Sequence, residues 1–232
     1  MFTETWNKKV SLMAVIVMVV LMLVSGASAS TDSALVYTNA TFECGCKRTG
    51  GGALIGPNVM ITAAHNLVCA THNKSLNYCN FFFGYDGNSY KKEYRGRFSY
   101  RWYSDFSKGY SSANDIAYVI FDEKIGYQTG FYEHGYLDPS DDSWSWGNYS
   151  IYGYSGKKPV IDTVKLSGID SREIYWPMSS GFSGTLEGGP ILSGNFVFGV
   201  YTSHSGNTGY GRLFTGKIFD DIRNDGGDFG QD

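Results

Sequence analysis

Three residues of this chain have the types and the order that acyl transfer requires: His65, Asp115 and Ser183. A serine hydroxyl is a poor nucleophile until a base removes its proton, and an imidazole titrates near neutrality. A carboxylate beside the imidazole fixes its tautomer and stabilises its cation. We therefore predict that Ser183 is a nucleophile, that His65 is its base and then its acid, and that Asp115 orients His65.

The residues around Ser183 suit an exposed nucleophile. The segment reads Gly181-Phe182-Ser183-Gly184, and its glycines permit a tight turn. In such a turn the backbone N–H groups of Gly181 and Ser183 face the substrate oxygen. We predict that these two groups form an oxyanion hole.

The elements that must position these residues are strands. The chain of 232 residues contains 30 glycines, 18 tyrosines and 15 phenylalanines, which favours strands and turns over helices. The apolar residues 53–62 predict a β-hairpin, and His65 follows the end of its second strand. Asp115 stands at the start of a buried strand predicted over residues 114–121. The sequence therefore predicts an all-β protein.

Further elements follow from the same patterns. Residues 50–52 are three glycines and predict flexible backbone before the hairpin, and apolar residues at i, i+1 and i+4 predict a short helix over residues 218–222. No repeat or linker divides the chain, so we expect one domain over residues 30–223 and a frayed tail over residues 224–232. The remaining strands are predicted at residues 34–42, 147–154, 160–169 and 195–202.

Residues 1–29 have the pattern of a secretory signal peptide. Lys8 and Lys9 form a basic flank, residues 10–24 are mostly apolar, and residues 27–29 read Ala-Ser-Ala, a small-residue cleavage site. The apolar stretch is shorter than the roughly 20 residues that a membrane-spanning helix needs. We predict cleavage directly after this site, a secreted protein, and no membrane association after cleavage.

The charge balance narrows the possible partners. The full chain has a formal net charge of −3, and without the signal peptide the charge is about −4. This balance gives no indication of nucleic-acid binding. We expect a monomer that requires no cofactor and takes a peptide or protein as its substrate.

The four cysteines are Cys44, Cys46, Cys69 and Cys79. An even number in a secreted chain favours disulfides over free thiols, with zinc ligation as the alternative. Cys44 and Cys46 are too close in the sequence to favour a bond with each other. We predict one disulfide between Cys46 and Cys69 and another between Cys44 and Cys79, and no metal site.

Three motifs follow one another in the order histidine, aspartate, serine: Thr62-Ala63-Ala64-His65, Asn114-Asp115-Ile116-Ala117 and Gly181-Phe182-Ser183-Gly184. Over residues 36–223 the chain resembles the trypsin-like serine proteases of the chymotrypsin fold. The separations of 50 and 68 residues suit a fold whose first β-barrel carries the histidine and aspartate and whose second carries the serine. The resemblance implies two six-stranded antiparallel β-barrels, a short C-terminal helix, and endopeptidase activity through a His-Asp-Ser triad.

Two departures from the family pattern agree with each other. Family members of the zymogen type begin with Ile-Val-Gly-Gly and pair that amino terminus with an aspartate just before the serine. Here residues 30–33 read Ser-Thr-Asp-Ser, and Phe182 precedes Ser183. The pattern is more similar to the bacterial glutamyl-endopeptidase branch, whose serine- and glycine-rich lead-in is compatible with residues 175–181.

The resemblance also implies a substrate pocket. Residues 199–206 resemble the strand that lines the primary specificity pocket. Glutamyl endopeptidases hold a substrate carboxylate there with a histidine and small hydroxyl residues. His204, with Thr202 and Ser203, would do so through hydrogen bonds and partial positive charge. The resemblance therefore implies cleavage after Glu or Asp.

The same resemblance raises a second alignment. Gly188-Gly189-Pro190 matches the run that trypsin-like proteases place directly after their nucleophile, and counting back from that run puts Glu187 in the nucleophile slot. If Ser183 is the nucleophile, residues 185–188 form an extra loop. If Glu187 fills the slot, the chain is an inactive homologue that acts as a secreted binding or scaffold protein. A β-sandwich unrelated to proteases is the third alternative, and the flanking glycines favour Ser183.

Overall fold

A computed structural model describes residues 31–103, 106, 112–138, 140, 144–145, 147–170, 172–180, 182 and 187–230. The predicted signal peptide lies outside these ranges. Within them, no helix has both the length and the apolar character that crossing a membrane requires.

The first half of the chain forms one antiparallel sheet. Its strand order is β4-β5-β1-β2-β3-β8-β7, with β6 paired to β5. The strands are β1 (Leu35–Phe42), β2 (Lys47–Leu54), β3 (Val59–Thr62), β4 (Val68–Cys69), β5 (Lys74–Phe83), β6 (Lys92–Tyr94), β7 (Phe98–Trp102) and β8 (Ala117–Phe121).

The second half forms a second sheet, in the order β11-β10-β14-β15-β16-β13-β12. The strands are β9 (Glu133–His134), β10 (Tyr149–Ser155), β11 (Lys158–Val164), β12 (Gly168–Ile169), β13 (Glu173–Pro177), β14 (Pro190–Ser193), β15 (Phe196–Ser205) and β16 (Thr208–Leu213). Its pairings are antiparallel except that β9 pairs in parallel with β15.

The prediction of an all-β fold with two antiparallel sheets is confirmed. Each described sheet has eight strands, where six were expected, because short strands of two or three residues join six longer ones. The short strands are β4, β6, β9 and β12. The predicted C-terminal helix is present as α2 (Gly216–Asn224), and a single further turn, α1 (Gly126–Thr129), follows β8.

The buried apolar side chains form two clusters: the first is built mainly on the first sheet and includes residues of β14 and β15, and the second lies within the second sheet. In the first, Phe81 and Phe121 are almost fully buried and meet edge to face, with ring centroids 5.0 Å apart. In the second, Trp176 packs against Tyr201 at 5.8 Å. Burying one large apolar side chain stabilises a fold by roughly 1.5–3 kcal/mol, so these cores give the loops at the sheet ends a rigid base.

Residues 50–52, expected to supply flexible backbone, lie instead inside β2, and all three are buried. A Cβ atom at Gly50 would lie 2.3 Å from the side chain of Asn66, and one at Gly52 would lie 2.9 Å from the carbonyl oxygen of Ile61. The glycines therefore serve close packing around a strand, which a pattern of three glycines does not reveal.

The described part of the expected tail, residues 225–230, is packed against the first core. Phe229 is 8% exposed, and its ring lies 4.2 Å from the ring of His134. The carboxylate of Asp228 forms an ion pair with Lys124 at 2.7 Å. The prediction of a frayed tail is wrong for these residues, because one aromatic anchor and one ion pair hold them.

The two predicted disulfides are not formed. All four cysteines are free thiols. Cys79 is buried in β5, where burial raises the pKa of its thiol to about 12, and its Sγ contacts the carbonyl oxygen of Asn80 at 3.6 Å. The other three cysteines gather near His72.

Candidate active site

His65 is carried by a single 3-10 turn, residues Ala64–Asn66, which follows β3. Every residue of β3 is buried, and the chain turns at Ala63, which has an extended backbone. His65 is itself only 2% exposed. The buried strand end therefore holds the imidazole inside the protein, as the apolar run before it predicted.

Asp115 reaches His65 because the strands beside them are neighbours. β3 pairs antiparallel with β8, and Thr62 stands opposite Ala117. The end of β3 and the start of β8 thus lie at the same end of the sheet. Residues a few positions beyond these two ends must lie close together.

The contact between the two side chains fixes the imidazole. One carboxylate oxygen of Asp115 accepts a hydrogen bond from the backbone N–H of His65 at 3.0 Å, and the other lies 2.5 Å from Nδ1. Asp115 is fully buried, and an ionised carboxylate only accepts hydrogen bonds. Nδ1 therefore carries the proton, and Nε2 is directed away from Asp115 as the basic nitrogen.

Glu187 lies on the other side of the imidazole. Its Oε2 atom is 3.9 Å from Nε2 of His65, beyond hydrogen-bond distance but close enough for charge interaction. Its carbonyl oxygen accepts hydrogen bonds from the backbone N–H of Gly51 at 2.8 Å and from Nδ2 of Asn66 at 3.0 Å. These contacts with the first sheet hold Glu187, which directly precedes the Gly-Gly-Pro run, beside His65.

Two further basic groups surround the Glu187 carboxylate. A guanidinium nitrogen of Arg48 lies 3.9 Å from Oε2, and Nδ1 of His204 lies 3.9 Å from Oε1. The Glu187 side chain is 20% exposed, so water screens these pairs only in part. The carboxylate thus lies near two imidazole nitrogens and one guanidinium, of which the guanidinium carries a permanent positive charge.

The structure describes neither Ser183 nor Gly181, so the predicted nucleophile and oxyanion hole lie outside the described residues. Phe182, between them, is 1% exposed. Its ring is 5.5 Å from that of Tyr201, and its backbone N–H donates to the carbonyl oxygen of Ser179 at 3.1 Å. The described part of this motif is therefore anchored in the second core.

The predicted pocket residues lie at the end of β15 and differ in exposure. Thr202 is fully buried, and its hydroxyl donates to the carbonyl oxygen of Tyr210 at 3.2 Å. Ser203 and His204 are half-buried. Nδ1 of His204 lies 3.2 Å from the hydroxyl of Tyr201 as well as near Glu187. Of the three, only His204 is shown in contact with the site around His65.

Sequence reasoning missed Arg48 and Asn66, which both touch Glu187. Each is more than 100 residues from Glu187 along the chain, so no local pattern links them. Asn66 alone carried a signal, since it directly follows the candidate base. Their roles arise from the contact of the two sheets.

No protein-family model matches this chain, and no curated protein matches it. Solved structures do match. One is a Glu endopeptidase in complex with MPD, at 17% identity and a TM-score of 0.69, with 87% of this chain and 94% of that chain covered. Another is AL20, a thermostable serine protease from an extremophilic microorganism, at 14% identity and a TM-score of 0.68, with 84% and 97% covered.

A third match is the scabies mite inactivated protease paralogue S-I1, at 14% identity and a TM-score of 0.64, with 85% of this chain and 97% of that chain covered. At these identities the matches establish the fold. The chain has the chymotrypsin-type fold of serine proteases, as the order of its motifs implied.

Proposed function

We propose that this protein is a secreted, monomeric peptide-binding protein that keeps the fold of a serine endopeptidase without its hydrolytic activity. One observation carries the proposal: the Glu187 carboxylate lies 3.9 Å from Nε2 of His65, on the side of the imidazole from which a nucleophile would be deprotonated. The Gly-Gly-Pro run that follows Glu187 supports the same alignment.

A carboxylate at this position does not replace a serine hydroxyl. Base catalysis by His65 requires a nucleophile with a proton to give up, and an ionised carboxylate has none. Attack by the carboxylate on a peptide would form an anhydride, which is less stable than the amide that breaks. Glu187 is instead held by its backbone, whose carbonyl oxygen accepts hydrogen bonds from Gly51 and Asn66, and its carboxylate lies near the guanidinium of Arg48.

Beside the site around His65, the second sheet retains a surface for an extended peptide. Pairing between β14 and β15 ends at Pro190 opposite Val200, and β16 covers one edge of residues 203–205. Among the described residues, no strand pairs with their other edge. An open edge offers backbone N–H and C=O groups to an added strand, and His204 lies beside it.

An endopeptidase acting through Ser183 is the second candidate, favoured by the intact contact between His65 and Asp115. In this alternative the backbone N–H groups of Gly181 and Ser183 bind the oxyanion, and Thr202, Ser203 and His204 select an acidic residue before the cleaved bond. The Glu187 carboxylate beside His204 opposes that preference, because it would repel an acidic substrate side chain.

Labelling and hydrolysis assays separate the two candidates. Wild type, Ser183→Ala and Glu187→Ser are treated with a serine-directed fluorophosphonate, and each is assayed on one peptide ester and on matched acidic and neutral peptides. We expect wild type and Ser183→Ala to be equally inert and unlabelled. Glu187→Ser should gain labelling at residue 187, because its new hydroxyl faces His65.

Wild-type hydrolysis that disappears in Ser183→Ala would reject the binding proposal and establish the endopeptidase. In that case His204→Ala tests the pocket, since loss of activity on the acidic peptide alone identifies a selecting residue. Circular dichroism of each variant shows that it is folded.

A further inference from the structure

Three of the four cysteines lie close to one histidine, at a place separate from the His65–Asp115 pair. Cys44 and Cys46 lie in the turn between β1 and β2, Cys69 ends β4, and His72 lies in the turn that leads to β5. Their Sγ atoms and one imidazole nitrogen all lie within 4.8 Å of one another. Two separate chain segments, residues 44–46 and 69–72, thus bring four ligand atoms to one point.

We propose that Cys44, Cys46, Cys69 and His72 form a tetrahedral zinc site. Zinc binds Cys sulfur at about 2.3 Å and His nitrogen at about 2.0–2.1 Å, so a tetrahedron has S···S edges of about 3.8 Å and S···N edges of about 3.6 Å. Nδ1 of His72 lies 3.6 Å from Sγ of Cys46 and 3.4 Å from Sγ of Cys69. These two distances match the S···N edges of a zinc tetrahedron, and all four ligand atoms lie within 4.8 Å of one another.

The ligand set selects the metal. Three thiolates and an imidazole are soft or borderline ligands, which suit zinc and leave no carboxylate or carbonyl oxygen for calcium or magnesium. Four protein ligands also fill the tetrahedron, as in structural zinc sites. The ion would therefore stabilise the fold and would have no open position for catalysis.

The cluster also explains why the two predicted disulfides do not fit the arrangement of the cysteines. A bond between any two of its thiols would leave the third thiol and His72 without a role. Cys79, the remaining cysteine, is buried in β5 and is not part of the cluster. Zinc uses all three clustered thiols at once, whereas one disulfide uses two.

The zinc site lies close to His65 along the chain. Cys69 lies only four residues after His65, and the turn between β1 and β2 belongs to a different part of the first sheet. Asn73, the residue after His72, adopts φ 48°, the only positive φ of a described residue other than glycine. Asparagine tolerates this left-handed conformation, which closes the turn next to His72. The ion would clamp the segment that carries His65 to the β1–β2 turn.

Metal analysis of the full chain tests the proposal. The protein is purified without chelators from cells supplied with zinc, and its metal content is measured by plasma mass spectrometry. We expect one zinc ion per chain in wild type. Replacement of zinc by cobalt(II) should give the intense visible bands of a tetrahedral site together with sulfur-to-cobalt charge transfer in the near ultraviolet.

Variants then assign the ligands. Cys46→Ser and His72→Ala should lose zinc, and Cys79→Ala, which removes a thiol outside the cluster, should retain it. If the ligand variants fail to fold, wild type still decides: removal of zinc by a chelator should lower the unfolding temperature, and added zinc should restore it. Metal-free, folded wild type with a disulfide between two of the three thiols would overturn the proposal. Zinc retained in both ligand variants would do so as well.

Discussion

At the scale of single residues, the contact between His65 and Asp115 is the most strongly determined part of the site. The two side chains are 2% and 0% exposed, and Asp115 accepts two hydrogen bonds from His65. A buried donor that loses its acceptor costs the full desolvation penalty. The pair therefore stabilises the loop that carries His65, whether or not a nucleophile stands beside it.

We predict that Asp115→Asn lowers the free energy of unfolding by about 2–3 kcal/mol, because the amide group would place a donor against Nδ1–H of His65. Urea denaturation measures the change. Asp220→Asn is the matched control, since Asp220 lies exposed on α2 and forms a solvent-exposed ion pair with Arg223 at 3.7 Å. Equal stability of the two variants would contradict the structural role of the pair.

At the scale of elements, α2 and the segment that follows it cover β9. His134 of β9 lies between the rings of Phe219 and Phe229, at 4.4 Å and 4.2 Å. Burial lowers the pKa of His134, and the positive charge of Arg223 lowers it further, while a hydrogen bond with the backbone of Ile55 acts in the opposite direction. The packed C-terminal segment thus favours a neutral imidazole.

We predict that this packing makes stability depend on pH. Below its ordinary pKa of about 6.5, His134 binds a proton more readily in the unfolded chain than in the folded one. The contribution of His134 to the free energy of unfolding should therefore be full above about pH 7 and should decrease as the pH falls below about 6.5. Urea titrations at several pH values measure the slope.

His134→Phe is the control for this prediction, because phenylalanine keeps the aromatic packing and removes the titrating group. Its stability should depend less steeply on pH than that of wild type. Identical slopes in the two proteins would show that other groups cause the pH dependence.

At the scale of the whole molecule, contact between the two halves of the chain fixes the position of Glu187 beside His65. Gly51 of β2 donates to the carbonyl oxygen of Glu187, and the carbonyl oxygen of Gly51 accepts from the hydroxyl of Thr62 at 2.6 Å. Gly188 adopts φ 100°, and a Cβ atom there would lie 2.4 Å from the carbonyl oxygen of Gly51. The two sheets approach so closely here that only glycine fits.

We predict that Gly188→Ala lowers the free energy of unfolding by more than about 3 kcal/mol, because it adds both backbone strain and a clash between the sheets. Gly156→Ala is the matched control. Gly156 also has a positive φ, 61°, but a Cβ atom there meets nothing within 4 Å, so only the backbone cost of about 1 kcal/mol remains. Thermal or urea unfolding of the two variants measures the difference, and similar losses would contradict the close approach.

The sequence by itself determined the features that depend on neighbouring residues. Apolar and aromatic runs between turns predicted an all-β fold, and the i, i+1, i+4 spacing near the end predicted α2. The end of one buried strand predicted the place of His65 and the start of another that of Asp115, because a buried strand fixes the residues next to its ends. The order of the three motifs carried the resemblance to trypsin-like proteases, and that resemblance implied the chymotrypsin-type fold.

Only the tertiary structure decided what depends on distant residues. Glu187 meets Asn66 across 121 positions of the chain, and the three clustered cysteines meet His72 across as many as 28. The sequence had left Ser183 and Glu187 as alternatives, and the structure brings Glu187 to His65, while the role of Ser183 stays a prediction. The two disulfides and the flexible backbone at residues 50–52 were predicted wrongly for the same physical reason. Thiol pairing and the close approach of backbones depend on how sheets and turns pack in three dimensions. A local sequence pattern does not contain the distances between residues that are far apart along the chain.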